Sequence, residues 1–288
     1  MKRFSLVFVV ALLYSSVVLA QKKDAYQMFT AKGKKIAYKK AFKKMTKNGV
    51  ILFGEFHNNP ISHWLQLEMA KDIHQQEIGL VIGAEMFERD NEEALQKYLA
   101  GKLTSKEFNE DVRLWSNYAT DYAPLVLFAE EEGIPYVSTN IPRRFASKVF
   151  KEGGFEALES ISDEEKSWMA PLPIPFDINL KTYQQMLQMM GGAHANPDIV
   201  KAQAIKDATM AHFILQNLPD EGIFLHLNGS YHSNFYEGIV WYLEAYGNNR
   251  SVFTIATVEQ ENIYQLEDEY KEMADLIICV PSTMTKTY

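Results

Sequence analysis

Glu55, His57, Asn58, Asn59 and His63 stand within nine residues of one another. In an extended segment residues two apart point to the same side, so Glu55 and His57 would share one surface. A carboxylate and an imidazole placed together suit general acid–base catalysis or a metal site. The stretch Gly54-Glu55-Phe56-His57 is echoed far down the chain by Gly229-Ser230-Tyr231-His232. A single Gly-x-x-His has a plain alternative, a glutamate capping local amides and a histidine bonded to backbone. Two copies, each following an apolar run, point instead to a shared site. One form of it is a divalent cation held by His57, His232 and Glu55, with Glu55 as base or ligand, Glu85 completing the site and Arg143 steadying an oxyanion.

The elements that must position these residues are legible. Val50-Ile51-Leu52-Phe53 and Ile223-Phe224-Leu225-His226-Leu227 precede the two motifs and read as buried strands of a largely parallel sheet, whose apolar runs are nearly continuous. The motif glycines are expected to open tight turns at the strand ends. Ligands of open α/β sheets lie beyond the carboxyl ends of the strands, so both histidines would face one crevice. Glu85 emerges after the apolar run 79–82, and Asn140-Ile141-Pro142-Arg143-Arg144 closes a further strand. Of its two arginines Arg143 is assigned to the crevice, where a guanidinium suits a carboxylate or oxyanion. Asn59-Pro60 suits the start of a helix, whose N-terminal amides favour an anionic group.

Further strand-like runs fall at 134–138, 251–256 and 276–280, with helical patterns between most of them. The expected fold is therefore α/β, a mostly parallel sheet flanked by helices. No strand pattern appears between 153 and 218, where Pro171-Leu172-Pro173-Ile174-Pro175 leads into helical segments. This stretch reads as a smaller inserted helical subdomain, with 21–152 and 219–288 forming the α/β domain. His74 and His212 sit in ordinary helical patterns and His226 lies inside a strand, so none is assigned chemistry. His63 is expected toward the crevice mouth, and Trp115, Tyr118 and Tyr122 read as a local packing cluster.

Lys2 and Arg3 followed by the apolar stretch 4–18 and Val18-Leu19-Ala20 read as a signal peptide over 1–20, cleaved after Ala20. The expected protein is thus exported, to the periplasm or cell exterior. The sole cysteine, Cys279, excludes both an intrachain disulfide and a cysteine-anchored lipoprotein cleaved at that point. Removing Lys2 and Arg3 from 29 basic residues leaves 27 against 37 acidic ones, a formal charge of −10. That balance argues against nucleic acid as a partner.

Taken in order, Gly54-Glu55-Phe56-His57-Asn58-Asn59, Gly83-Ala84-Glu85-Met86, Asn140-Ile141-Pro142-Arg143, the segment from Gln203 through Asp207 to Met210-Ala211, and Gly229-Ser230-Tyr231-His232 with Gly238 resemble the ChaN-type haem-binding family. That family lies in a wider group with Tiki-type metalloproteases and erythromycin esterases. The resemblance covers most of the mature chain. It implies a haem cofactor, a pair of haems held between two subunits of a homodimer, a role in haem and iron acquisition, and an outer-membrane haem receptor as partner. The Tiki-type branch implies a metal-dependent hydrolase, and the esterase branch a histidine and glutamate that activate water. Two departures stand out: the lipoprotein cysteine of many relatives is missing, and no axial haem ligand aligns by motif. Haem iron accepts tyrosinate or imidazole. Tyr183, which begins the methionine-rich helical stretch 183–190, and His194, after Gly191-Gly192, are the candidates, with Arg143, His57 and His232 pairing the propionates.

Overall fold

The computed structural model describes residues 23–288; the signal peptide expected over 1–20 lies outside them. Seven strands form one sheet: β1 Gln27–Thr30, β2 Val50–Glu55, β3 Leu80–Glu88, β4 Tyr136–Asn140, β5 Ile223–Gly229, β6 Val252–Gln260 and β7 Leu276–Pro281. Their order across the sheet is β1-β7-β6-β2-β5-β3-β4. Every pairing is parallel except that of β1 with β7. β1 went unanticipated, because four residues on a sheet edge carry too short a pattern to read.

β2 lies at the centre between β6 and β5, and the burial of every residue of β2 and β5 explains their unbroken apolar runs. Side chains alternate across the pleat. Ile51 and Phe53 enter the core beneath helices Pro60–His74 and Ala123–Glu132, while Val50 and Leu52 enter the core on the opposite face. That second core also holds Val200, Ile205 and Met210 of helix Asp198–Gln216 together with Phe145 and Leu243. Among the described residues the 153–218 segment contains helices and no strand. Its long helix nevertheless shares the core of the sheet, because that face of the sheet has to be covered.

Register decides where the motifs meet. Glu55 at the end of β2 stands opposite Gly229 at the end of β5, with Gly54 opposite Asn228. β3 breaks register against β4 between Ala84 and Glu88, an irregularity of the kind that re-aims side chains beside sites; here it spans Glu85. The motif glycines lie within their strands and do not make the tight turns that the sequence suggested. A Cβ on Gly54 would lie 2.7 Å from the Ile255 carbonyl oxygen and 3.1 Å from Ser230 Cα. Glycine is required there because two backbones pack against each other, and that closeness joins the two motifs. Among the described residues no helix is long and apolar enough to cross a membrane.

Candidate functional site

Two imidazole–carboxylate pairs meet at the carboxyl ends of β2, β3 and β5. In the first, His57 Nδ1 lies 2.9 Å from Glu55 Oε1, as the alternation of the two residues predicted. Glu55 is only 3% exposed. The Tyr122 hydroxyl donates to its Oε1 at 2.6 Å, and the Gln66 amide donates to Oε2. Burial pushes this carboxyl up, but the charges of His63 and His57 outweigh it and hold it below its ordinary value. Burial would likewise push His57 down, yet the Glu55 hydrogen bond and the charge of Glu85 raise it.

In the second pair His232 sits between two carboxylates. Its Nε2 lies 3.1 Å from Glu85 Oε1, and its Nδ1 bonds Asp207. Asp207, fully buried on helix Asp198–Gln216, also accepts from the Tyr183 hydroxyl at 3.0 Å. Burial works against a charged His232, but Glu85 and Asp207 together raise its pKa to about 9. Glu85 is correspondingly held well below the usual carboxylate range despite its burial. Gly229 joins the pairs. Its N–H donates to Glu85 Oε2 at 2.8 Å, and a Cβ there would come within 2.9 Å of the His57 ring.

A raised imidazole pKa fixes a sign for stability. His232 goes from an unfolded value of 6.5 to about 9, so its contribution is complete below the unfolded value and is lost as pH rises through the folded one. The His232 imidazole should titrate by NMR with a midpoint near 9, and the thermal midpoint of the protein should fall across that interval. A midpoint at or below 6.5 would mean that the carboxylates do not hold the charge.

Several residues acquire places that the sequence left open. His63 is not at the crevice mouth but buried beneath it, with Nε2 3.1 Å from the His57 carbonyl oxygen and Nδ1 3.2 Å from Gln66 Oε1. The aromatic cluster is part of the site: Trp115 meets the His57 ring edge-on at 4.6 Å, and Tyr122 holds Glu55. Tyr122 closes a π-helical turn, Tyr118–Tyr122, a distortion often found where function needs a re-aimed side chain. Gln66 and Asp207 had no role from sequence. The only signals for them were a glutamine three residues after His63 and the presence of Asp207 in the family-like segment. His226 is a core histidine as expected, neutral with a pKa near 4 and bonded to Thr139 and Asn228.

The haem-ligand expectations are the ones the structure redraws. Tyr183 is 2% exposed, and its ring stacks near Phe176 with the hydroxyl spent on Asp207. It therefore backs His232 instead of presenting a free phenolate. His194 is exposed on the short turn Gly192–His194 and lines neither of the clefts beside the motifs.

Those clefts lie on either side of the motif loops. A polar one of about 550 Å³ is lined by His57, Glu85, Arg113, Asn140, Arg143 and Lys206, among others. Arg143 thus reaches the crevice, while Arg144 pairs with Asp90. The other, of about 610 Å³, is walled by Phe56, Met189, Tyr231, Phe235, Tyr270 and Met273 with a few polar neighbours. Phe56 and Tyr231 are the residues just before each motif histidine. The divalent-cation alternative built on His57, His232 and Glu55 finds no such centre: each histidine is engaged by carboxylates. Among the described residues no group of three or more His, Cys, Asp or Glu side chains is arranged to hold a metal ion.

A family model described as haem-binding uptake, Tiki superfamily, ChaN matches residues 41–243, a span holding both motifs. Among solved structures, the chain is similar to ChaN of Campylobacter jejuni, described with cofacial haem binding, at 18% identity and a TM-score of 0.65, covering 90% of this chain and 98% of that one. It is similar to a succinoglycan biosynthesis protein at 8% identity and a TM-score of 0.51, covering 84% and 90%. A mutant erythromycin esterase in its open conformation matches at 11% identity and a TM-score of 0.50, covering 89% and 98%. At such identities the likeness speaks to the α/β fold. No curated protein matches the sequence.

Proposed function

The chain belongs to the haem-binding uptake family of the Tiki superfamily, ChaN, and from that premise we propose that it is an exported haem-binding protein acting in haem and iron acquisition. The observation that carries this reading is the apolar cleft beside the motifs. Its volume of about 610 Å³ falls in the range of small-molecule and cofactor sites. Phe56, Phe235, Met189 and Met273 offer the apolar and polarisable surface that suits a flat porphyrin. Tyr231, 44% exposed on its rim with the hydroxyl 3.6 Å from Met189 Sδ, offers an accessible phenol of the kind haem iron accepts. Bound haem supplies the iron; the protein supplies a ligand, a shaped apolar wall and exclusion of water. Met189 and Met190 are 62% and 59% exposed, so a second copy of the chain covering the outer face of the ligand is part of this reading. So is transfer from an outer-membrane haem receptor.

Haemin titrated into the mature protein should give a saturable, shifted Soret band. Tyr231→Phe should weaken binding at least tenfold, about 1.4 kcal/mol, and shift the band. A Tyr183→Phe, His194→Ala double variant should keep the parent spectrum. A parent band identical to that of free haemin would sink the haem reading, and a Tyr231→Phe variant indistinguishable from the parent would remove this ligand assignment.

One observation favours a second reading, hydrolysis by acid–base chemistry. Glu55 holds His57 Nδ1 from a buried seat braced by Tyr122 and Gln66, which leaves Nε2 toward the polar cleft to take a proton from water. It predicts turnover that disappears with Glu55→Gln.

A further inference from the structure

The polar cleft carries a charge pattern that neither reading uses in full. Each side-chain carboxylate on it already has a partner: Glu85 is taken by His232 and the Gly229 N–H, and Glu88 by Arg113 and the Arg143 backbone N–H. Two cations on the same walls do not. The Arg143 guanidinium and the half-buried Lys206 ammonium line the cleft, and neither makes a side-chain hydrogen bond or ion pair among the described residues. The cleft also holds Asn140 and Asn117, 7% and 5% exposed. Asn140 donates its amide to the Glu85 carbonyl and Asn117 donates to the His57 carbonyl, yet the Oδ1 atom of each has no hydrogen-bond partner among the described residues. Buried amide oxygens without donors are uncommon in folded proteins, and here two of them sit in one cleft with two unpaired cations.

We propose that this cleft is a second ligand site, separate from the apolar one, for a small organic anion: a carboxylate or phosphate held between Arg143 and Lys206 beside His57, joined to a hydroxyl or amide N–H that satisfies the asparagine oxygens directly or through water. The guanidinium fork matches either anion in a bidentate manner, and the ammonium acts as a point charge. Donors on the ligand answer the asparagines, since an acceptor there would leave both amide oxygens unsatisfied. The inference rests on the polar cleft alone, so haemin binding in the apolar cleft succeeds or fails independently of it.

The mature protein would be titrated by calorimetry at low ionic strength with glycolate, inorganic phosphate and neutral glycolamide, while the His57 imidazole is followed by NMR. Binding by glycolate or phosphate that shifts the His57 resonances is expected, and the tighter of the two names the anion. The Arg143→Gln, Lys206→Gln double variant should bind at least tenfold more weakly and remain folded, because neither side chain makes a hydrogen bond or ion pair among the described residues that the fold would lose. Lys206→Arg, which keeps the charge, should retain binding and guards against a folding defect in the double variant. The proposal is overturned if neither anion saturates, if glycolamide binds as tightly, or if the double variant binds like the parent.

Discussion

Replacing Asp207 with alanine should destabilise the protein by about 3–5 kcal/mol, the scale of removing one partner from a buried ion pair. The Asp207 carboxylate holds His232 Nδ1 on one oxygen and accepts the Tyr183 hydroxyl on the other, with all three side chains buried. Alanine leaves the Tyr183 phenol and the Nδ1 side of the His232 imidazole without their carboxylate, with only Glu85 on Nε2 still holding the ring as a cation. For a chain of this size the loss corresponds to a fall of roughly 10 °C in the thermal midpoint. The His232 titration should move down from about 9, because one of the two carboxylates that raise it is gone. Tyr183→Phe, which removes the hydroxyl but leaves Asp207 and His232 in place, should cost about 1 kcal/mol. If Asp207→Ala cost no more than Tyr183→Phe, His232 would not be held as a cation and the two-carboxylate account would fail.

Glu55→Gln has the second largest expected effect, and it separates stability from ligand binding. The carboxylate takes hydrogen bonds from His57, Tyr122 and Gln66. Glutamine keeps the shape but turns one of its two oxygens into a donor that faces a donor. The expected cost is about 2–3 kcal/mol, the penalty of an unsatisfied group in a charged, buried network. Because the Glu55 hydrogen bond raises the His57 pKa, neutralising Glu55 should lower the His57 titration midpoint. The haemin spectrum should be unchanged, since Glu55 does not line the apolar cleft. A lost Soret shift in a folded Glu55→Gln variant would place the haem against His57 instead, in the polar cleft.

Much of this architecture was readable beforehand, and the parts that were not share one cause. The six longer strands could be located because a strand buried on both faces announces itself as a short apolar run, a property of neighbouring residues. The pairing of Glu55 with His57 was readable for the same reason, as two residues separated by one pleat. Glu85 and Arg143 were found because each stands where an apolar run stops. Trp115 and Tyr122 were read as mere packing, although one touches His57 and the other holds Glu55. Nothing in the local pattern of an aromatic cluster says which way a π-helical turn rotates its last hydroxyl.

The chain by itself determined that two Gly-x-x-His segments end buried strands of a parallel sheet, and hence that their histidines lie at its carboxyl edge, since hydrophobic periodicity and strand-end chemistry are local. Only the tertiary structure decided what each histidine meets. Asp207 reaches His232 from 25 residues away and Tyr122 reaches Glu55 from 67, through helices whose rotation is fixed by the cores they cover. The same packing drew Tyr183 inward to Asp207 and left Tyr231 at the surface. Sequence spacing does not encode that choice, because burial of a tyrosine depends on which face its helix turns toward the sheet.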